Sequence, residues 1–386
     1  MVLRWHPMMN RLLLALLALT VLASPAAAQD AAACGTPAVI NDGWATAKPD
    51  DVGLDGARLC GLDKFLEQWP NANIHSVTVA RRGKLVFERY FTGQDERWGT
   101  PLGEVKFGPE TLHDLRSISK SVVSLLVGIA LREGTFPSID SAVFDQFPEY
   151  AALKTPEKAR ITFWHLLTMS SGFAWNEAIP YSNPANSERR LIDSAEPARY
   201  VLEQPMALPP GYLYNYNGGN TALLAAVLAK KTGQTLDAYA RQKLFAPLGI
   251  TNSEWIVMPA SNTAAAASGA RLRPRDLAKI GQLMTSDGAW QGKQVLPRGW
   301  VAESTRLHIN GEGIYYYGYQ WWLGRTLLHG RDRPWIAGFG WGGQRLYIQP
   351  DLDLVVTVNA GYYGPPLQGV IPHQLFTRFV LQAVKD

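Results

Sequence analysis

The chain has 386 residues, of which 47% are hydrophobic, 18% charged and 11% aromatic. That mixture is too apolar for a disordered chain and too polar for a polytopic membrane protein. The formal charge is only +4, and no long Lys/Arg run supplies the footprint of a nucleic-acid binder.

Residues 1–28 read as a secretory signal. Arg4 and Arg11 give a positive region before the apolar run Leu12–Ala23, which is too short to cross a bilayer unaided. Pro25 breaks the run, and Ala26-Ala27-Ala28 offers small residues for cleavage. The alternative is a retained N-terminal anchor. Cleavage predicts an exported protein, periplasmic or secreted, of about 358 residues with no stable membrane span. Cys34 and Cys60 are the two cysteines. In an oxidising compartment they can form one disulfide.

Further along, apolar spacing predicts a helix over Asp55–Trp69. Ser76–Phe91 alternates around Arg81-Arg82-Gly83-Lys84 and predicts a β-hairpin. A loop of about 20 residues is expected next. Arg116–Arg132 predicts a helix stopped at Gly134. Residues 135–255 read as helical pieces, including Ile161–Met169 and Thr221–Thr232, and Arg275–Ser286 as another helix. Beyond Gly313 the chain turns β-rich at Tyr316–Trp322, Arg345–Ile348 and Leu354–Asn359, before a closing helix over Gln374–Val384. Strands at both ends and helices between them predict an α+β fold. Its antiparallel sheet is built from both termini, about 29–134 and 266–386, with a helical region inserted near 135–265.

Three segments carry chemistry. In Ser117-Ile118-Ser119-Lys120, the serine and lysine lie on one face at a helix start. A serine hydroxyl needs a base to become a nucleophile, and a lysine whose pKa is lowered by burial can provide one. The second segment, Pro209–Gly219, presents Tyr216 before an apolar helix, where a phenol can relay a proton. Tyr212 and Tyr214 read as packing. The third, Ala337–Ile348, is a glycine-rich approach to a strand, through which a substrate could come close to the backbone.

In this order and spacing the segments resemble the serine β-lactamase superfamily, in its class C and esterase branch, and within it the 6-aminohexanoate-dimer hydrolases. The resemblance covers about 50–385. It is supported by Ile161–Gly172, Leu244–Ile250, Arg273–Leu277 and Gly318–Trp322. It implies a β-lactamase/transpeptidase-like fold with no metal or cofactor. Ser117 would be the acylated nucleophile and Lys120 its proton partner. Tyr216 would be a second base, with the acylation base left open between it and Lys120. Trp341-Gly342-Gly343 would stand for the family's third motif, and the backbone N–H groups of Ser117 and Gln344 for the oxyanion hole. Asn217, Trp321, Trp322 and Trp341–Gly343 would line the substrate site.

Two departures matter. Gly218 stands where the Tyr motif often carries Asn, and Trp341 replaces the third motif's cation. A short ester or amide without a carboxylate therefore fits better than a β-lactam or cell-wall peptide. β-Lactamase or D,D-peptidase activity, or a non-catalytic ligand-binding relative, is the alternative. No GxSxG elbow is present, and no segment matches the Glu-bearing loop of class A. The seven histidines read as scattered. His165 reads as a hydrogen-bonded core residue, and His113, four residues before Ser117, as a neighbour of the cleft.

Overall fold

The computed structural model describes residues 35–364 and 367–385. The proposed signal and Cys34 lie outside these residues. Cys60 is disulfide-bonded. Among the described residues no helix is long and apolar enough to cross a membrane.

The strands in chain order begin with β1 (Ala45–Thr46), β2 (Ile74–Arg81) and β3 (Lys84–Tyr90). Arg82 and Gly83 connect β2 to β3 with φ of 51° and 73°. A two-residue loop with both central residues left-handed is the turn whose twist matches paired strands. Next come β4 (Thr92–Arg97), β5 (Thr100–Lys106) and β6 (His113–Asp114), then helix α1 (Ile118–Arg132). After shorter helices, α2 (Gly218–Thr232) leads to β7 (Ser253–Trp255), β8 (Ala270–Leu272) and α3 (Pro274–Thr285). The C-terminal strands are β9 (Ile309–Asn310), β10 (Tyr316–Tyr317), β11 (Trp322–Leu328), β12 (Arg331–Gly340), β13 (Gln344–Gln349) and β14 (Leu354–Ala360), followed by α4 (Leu367–Gln374).

Nine strands form one sheet in the order β1-β3-β2-β14-β13-β12-β11-β10-β9. Only β1 and β3 pair in parallel. The two chain ends meet at its centre, where β2 pairs with β14 through Val79↔Val356 and Val77↔Val358. Every residue of β2, β13 and β14 is buried, so both sheet faces are covered. Alternation then divides the residues between two cores. Ala80, Leu346, Ile348 and Val355 face the core containing α1, α2 and α3. Val77, Val79, Leu354, Val356 and Val358 face the C-terminal helices and Leu59 and Leu62. Gly281 lets α3 lie close on the sheet, because a Cβ there would stand 2.3 Å from Val355 Cγ1.

Helix α1 is central, with Ile118 to Ala130 all buried. It packs on α2 and on β12 and β13. A three-stranded sheet, β6-β8-β7, carries the chain into it.

Three sequence expectations change. The helix over Asp55–Trp69 is two short helices, Gly56–Cys60 and Leu62–Leu66, interrupted at Gly61. The 20-residue loop contains the hairpin β4–β5, paired from Thr92↔Lys106 to Arg97↔Thr100. The closing helix begins earlier, at Leu367, and its middle, Leu375–Val380, is π-helical.

Candidate active site

The turn before Ser117 is strained. Arg116 has φ of 49°, a left-handed value costly for a residue with a Cβ. The surroundings hold it there. Its guanidinium pairs with Glu96 and with Asp114 at 3.1 Å, and lies 5.1 Å from the centre of the Tyr363 ring. Leu115 N donates to Ala270 O (2.9 Å), and Ala270 N donates to Ser119 Oγ (3.0 Å). Strand β8 therefore ties the chain on both sides of Ser117.

Ser117 is the cap position of α1, and Lys120 lies one turn into the helix. Lys120 Nζ donates to Ser117 Oγ (3.0 Å) and to Ala267 O (3.2 Å) and stands 3.8 Å from Glu177 Oε1. The Tyr216 phenol lies beside them and is coupled electrostatically to both Ser117 and Lys120. Lys120 Nζ is 4.7 Å from the centre of that ring. Two separate segments thus bring a lysine and a tyrosine to one half-buried hydroxyl.

Tyr216 is held by what surrounds its loop. Asn215 N donates to Met169 O (2.7 Å), and Asn215 Nδ2 donates to Trp175 O (3.2 Å). Trp322 stacks on the Tyr216 ring, with centroids 5.7 Å apart. Tyr214 packs edge-on against Trp322 and Tyr317.

The electrostatics bear on the acid–base roles of Lys120 and Tyr216. Burial pulls the Lys120 ammonium toward deprotonation, but Tyr216, Glu188 and Glu177 outweigh it, and its pKa stands above the ordinary lysine value. That direction favours the ammonium form of Lys120. Burial raises the Tyr216 phenol, with the Lys120 charge opposing it. Burial, and next the Glu188 carboxylate, push Glu177 up to about 7, against Lys120, the Gly218 N–H and the Trp175 indole.

Sequence reasoning missed Glu177, Glu188 and Tyr181. Glu177 Oε2 accepts from Gly218 N at the start of α2 (2.7 Å) and from Trp175 Nε1 (2.6 Å). An anion there meets the positive end of the helix. Glu188 Oε2 accepts from Tyr181 OH (2.5 Å), and Tyr181 meets Trp341 edge-on. A Cβ on Gly218 would stand 3.2 Å from Glu177 Oε2 and 3.4 Å from Glu188 Cδ. The residue that departs from the family pattern is therefore where the acidic wall comes closest to α2.

The glycine-rich strand runs against the residues that flank Ser117. A Cβ on Gly340 would stand 2.3 Å from Leu115 O, and one on Gly338 3.0 Å from Ile118 Cγ2. Gly342 and Gly343, by contrast, have φ of 84° and 97° and lie against Tyr363, Tyr362 and Ala360, so their missing side chains make room for protein. Gln344 Nε2 donates to Ala360 O (2.6 Å), anchoring the strand start.

Other expected site residues fall elsewhere. Trp321 has no exposed surface and belongs to the core, so it cannot line a pocket. Trp322 acts on the site through Tyr216. Asn217 caps α2, its Oδ1 accepting from Asn220 N (3.2 Å). Tyr212 is 66% exposed and is not packing. His165 is hydrogen-bonded at the start of its helix, its Nδ1 accepting from Thr162 N (2.9 Å). His113 is buried, and with His75 and Asp95 it forms the grouping with metal-ligand spacing among the described residues.

The profile of the Beta-lactamase family matches residues 66–368. The 6-aminohexanoate-dimer hydrolase of Paenarthrobacter ureafaciens is 26% identical over 355 residues, covering 86% of this chain and 83% of that protein. Lovastatin esterase of Penicillium rubens is 26% identical over 204 residues, 47% of this chain and 49% of the other. Among solved structures, a family VIII carboxylesterase superposes with a TM-score of 0.65 at 17% identity, covering 85% of this chain and 96% of that one. The putative 6-aminohexanoate-dimer hydrolase from Bacillus anthracis gives 0.64 at 19% identity, covering 81% and 79%.

Proposed function

Since the chain belongs to the β-lactamase family, we propose that it is a hydrolase that cleaves short esters or amides through an acyl-enzyme on Ser117. The observation that carries this reading is the hydroxyl of Ser117 itself. It accepts from Lys120 at 3.0 Å and meets the phenol of Tyr216. Donation by Lys120 occupies one lone pair of Oγ and leaves the hydroxyl proton to point at Tyr216. Because Lys120 is charged, it stabilises the phenolate of Tyr216 and does not itself act as the base.

In this mechanism Ser117 Oγ attacks the carbonyl carbon while Tyr216, as phenolate, takes its proton. The oxyanion is received by the backbone N–H groups of Ser117 and Gln344. Tyr216 then passes the proton to the leaving oxygen or nitrogen, and that bond to the acyl carbon breaks. For deacylation, Tyr216 takes a proton from water as the water attacks the ester, and returns it to Ser117 as the acid departs. The cleft lies between the sheet region and the helical region near 135–265.

The substrate is uncharged, or at least carries no carboxylate beside the nucleophile. Trp341 supplies no cation, and Glu177 and Glu188 present negative charge beside Lys120. Relatives named as a dimer hydrolase, an esterase and a carboxylesterase support carbonyl hydrolysis of this kind. Export from the cytoplasm completes the reading and rests on residues 1–28.

A fluorophosphonate should add its mass to the peptide containing Ser117. Ser117→Ala should lose p-nitrophenyl butyrate turnover by about 10⁴-fold or more. A label on another residue, or turnover surviving in Ser117→Ala, overturns the assignment.

A further inference from the structure

A second buried constellation lies outside the hydrolytic site. His75 on β2, Asp95 on β4 and His113 on β6 converge with side-chain exposures of 0%, 1% and 1%. His75 Nδ1 is 2.8 Å from His113 Nε2, and each is 3.8 Å from Asp95 Oδ1.

The hydrogen-bond accounting around these rings does not close. His75 Nε2 faces Gln94 O (3.1 Å) and Asn73 Oδ1 (3.2 Å). Asn73 cannot turn its amide nitrogen to the ring, because that nitrogen donates to Gln94 O (2.8 Å) and Gly361 O (3.0 Å). His113 Nδ1 faces Asp114 O (3.1 Å). These oxygens only accept, so both outer ring nitrogens carry protons. The two inner nitrogens of neutral rings then aim lone pairs at each other across 2.8 Å. Something positive belongs between them.

The geometry says what fits. The circle through the two nitrogens and Asp95 Oδ1 has a radius of about 2.0 Å, the bond length of zinc to imidazole nitrogen and carboxylate oxygen. All three ligand atoms meet that distance where they stand, and a turn of the two rings, whose centres are 5.1 Å apart, brings their lone pairs onto the ion. The surroundings are also those of metal ligands. Each imidazole donates its outer N–H to a backbone carbonyl, and Tyr363 OH donates to Asp95 Oδ1 (2.9 Å).

We propose that His75, Asp95 and His113 bind one divalent transition-metal ion, with zinc the best fit. The ion joins β2, the β4–β5 hairpin and the strand that leads through Arg116 to Ser117. Its role is structural, so the proposal stands or falls apart from the reaction at Ser117. It revises the expectation of a metal-free protein, which rested on histidines that looked scattered in sequence.

The test uses the untagged full chain, dialysed with and without ZnCl₂ and passed over gel filtration. Elemental analysis should find about one zinc per chain. Chelation should lower Tm, and added ZnCl₂ should restore it. His113→Ala and Asp95→Asn should both lose the zinc. Should those variants fail to fold, zinc-edge X-ray absorption of the wild-type chain decides instead. It should report two nitrogen neighbours from imidazole and one oxygen from carboxylate at about 2.0 Å. The proposal is overturned if the wild-type chain retains no zinc and its Tm ignores the ion. It is equally overturned if zinc stays bound in a folded His113→Ala chain. In the first case a proton shared between the two rings accounts for the geometry, and ¹⁵N shifts would show one imidazolium.

Discussion

Replacing Glu177 by Gln should move the pH dependence of hydrolysis downward. Glutamine keeps an acceptor for the Gly218 N–H and the Trp175 indole and removes only the charge. That charge stands 3.8 Å from Lys120 Nζ. At an effective dielectric constant of about 20, the attraction is about 4 kcal/mol before desolvation is subtracted. The sign follows from the directions of the shifts. Glu177 titrates near 7, so it becomes anionic as pH rises through neutrality. Once anionic, it favours the ammonium of Lys120 and disfavours the phenolate of Tyr216. Without it, Tyr216 should ionise more readily, and the ascending limb of kcat/KM, set by ionisation of that base, should move down by roughly one to two pH units. A pH-stat assay with ethyl butyrate avoids an indicator that itself titrates. Stability supplies a second reading. The folded value, about 7, lies above the ordinary 4.5, so the folded state holds an extra proton between them. Stability on this account falls as pH rises from about 4.5 to about 7 and stays reduced above. Glu177→Gln should therefore raise Tm at pH 8 and leave it nearly unchanged at pH 4. An ascending limb that stays put or moves upward would refute the assignment of Tyr216 as base under control of Glu177.

Other consequences are equally direct. Nitrocefin carries a carboxylate, which must approach an acidic wall without a compensating cation. Its kcat/KM should lie at least about 100-fold below that of p-nitrophenyl butyrate, and comparable values would show that Trp341 and Gly218 were over-read. Gly340→Ala forces a Cβ to 2.3 Å from Leu115 O, a backbone atom that cannot rotate away. It should cost on the order of 2 kcal/mol or more in urea unfolding and depress kcat at the adjoining Ser117. Buried Arg275 pairs with Glu88 (2.5 Å) and Asp42 (3.3 Å). Arg275→Ala strands both carboxylates and should cost about 3–5 kcal/mol; a loss below 1 kcal/mol by the same unfolding assay would show that water replaces the guanidinium.

Where one face of an element is apolar, the sequence is readable. The β2–β3 hairpin shows its alternation and its Arg82-Gly83 turn, and α1 shows Val122, Val123 and the apolar run Leu125–Leu131 after Ser117. The β4–β5 hairpin shows neither, because both of its faces are largely exposed and its residues are polar. Pairing of that kind leaves no periodic trace. The same contrast holds at the site. Ser117, Lys120 and Tyr216 sit in recognisable segments, and the fold brings them together. Glu177 and Glu188 lie in a loop and a short helix whose local sequence has no reason to announce them; only packing against Gly218 and Lys120 gives them meaning. Trp321 and Trp322 are adjacent, yet strand alternation sends one into the core and the other onto Tyr216. His75 and His113 are on different strands, and nothing in their spacing brings them within 2.8 Å of each other.

The pairing of β2 with β14 has a consequence for how the molecule is made. The eighth residue of β2, Arg81, finds its partner in Leu354, roughly 270 positions later. A nascent chain therefore exposes the apolar edge of β2 until β14 has left the ribosome, and the central sheet cannot close before then. Until then the sheet stays unfinished and open to chaperones. Its final strand acts as the closing stitch.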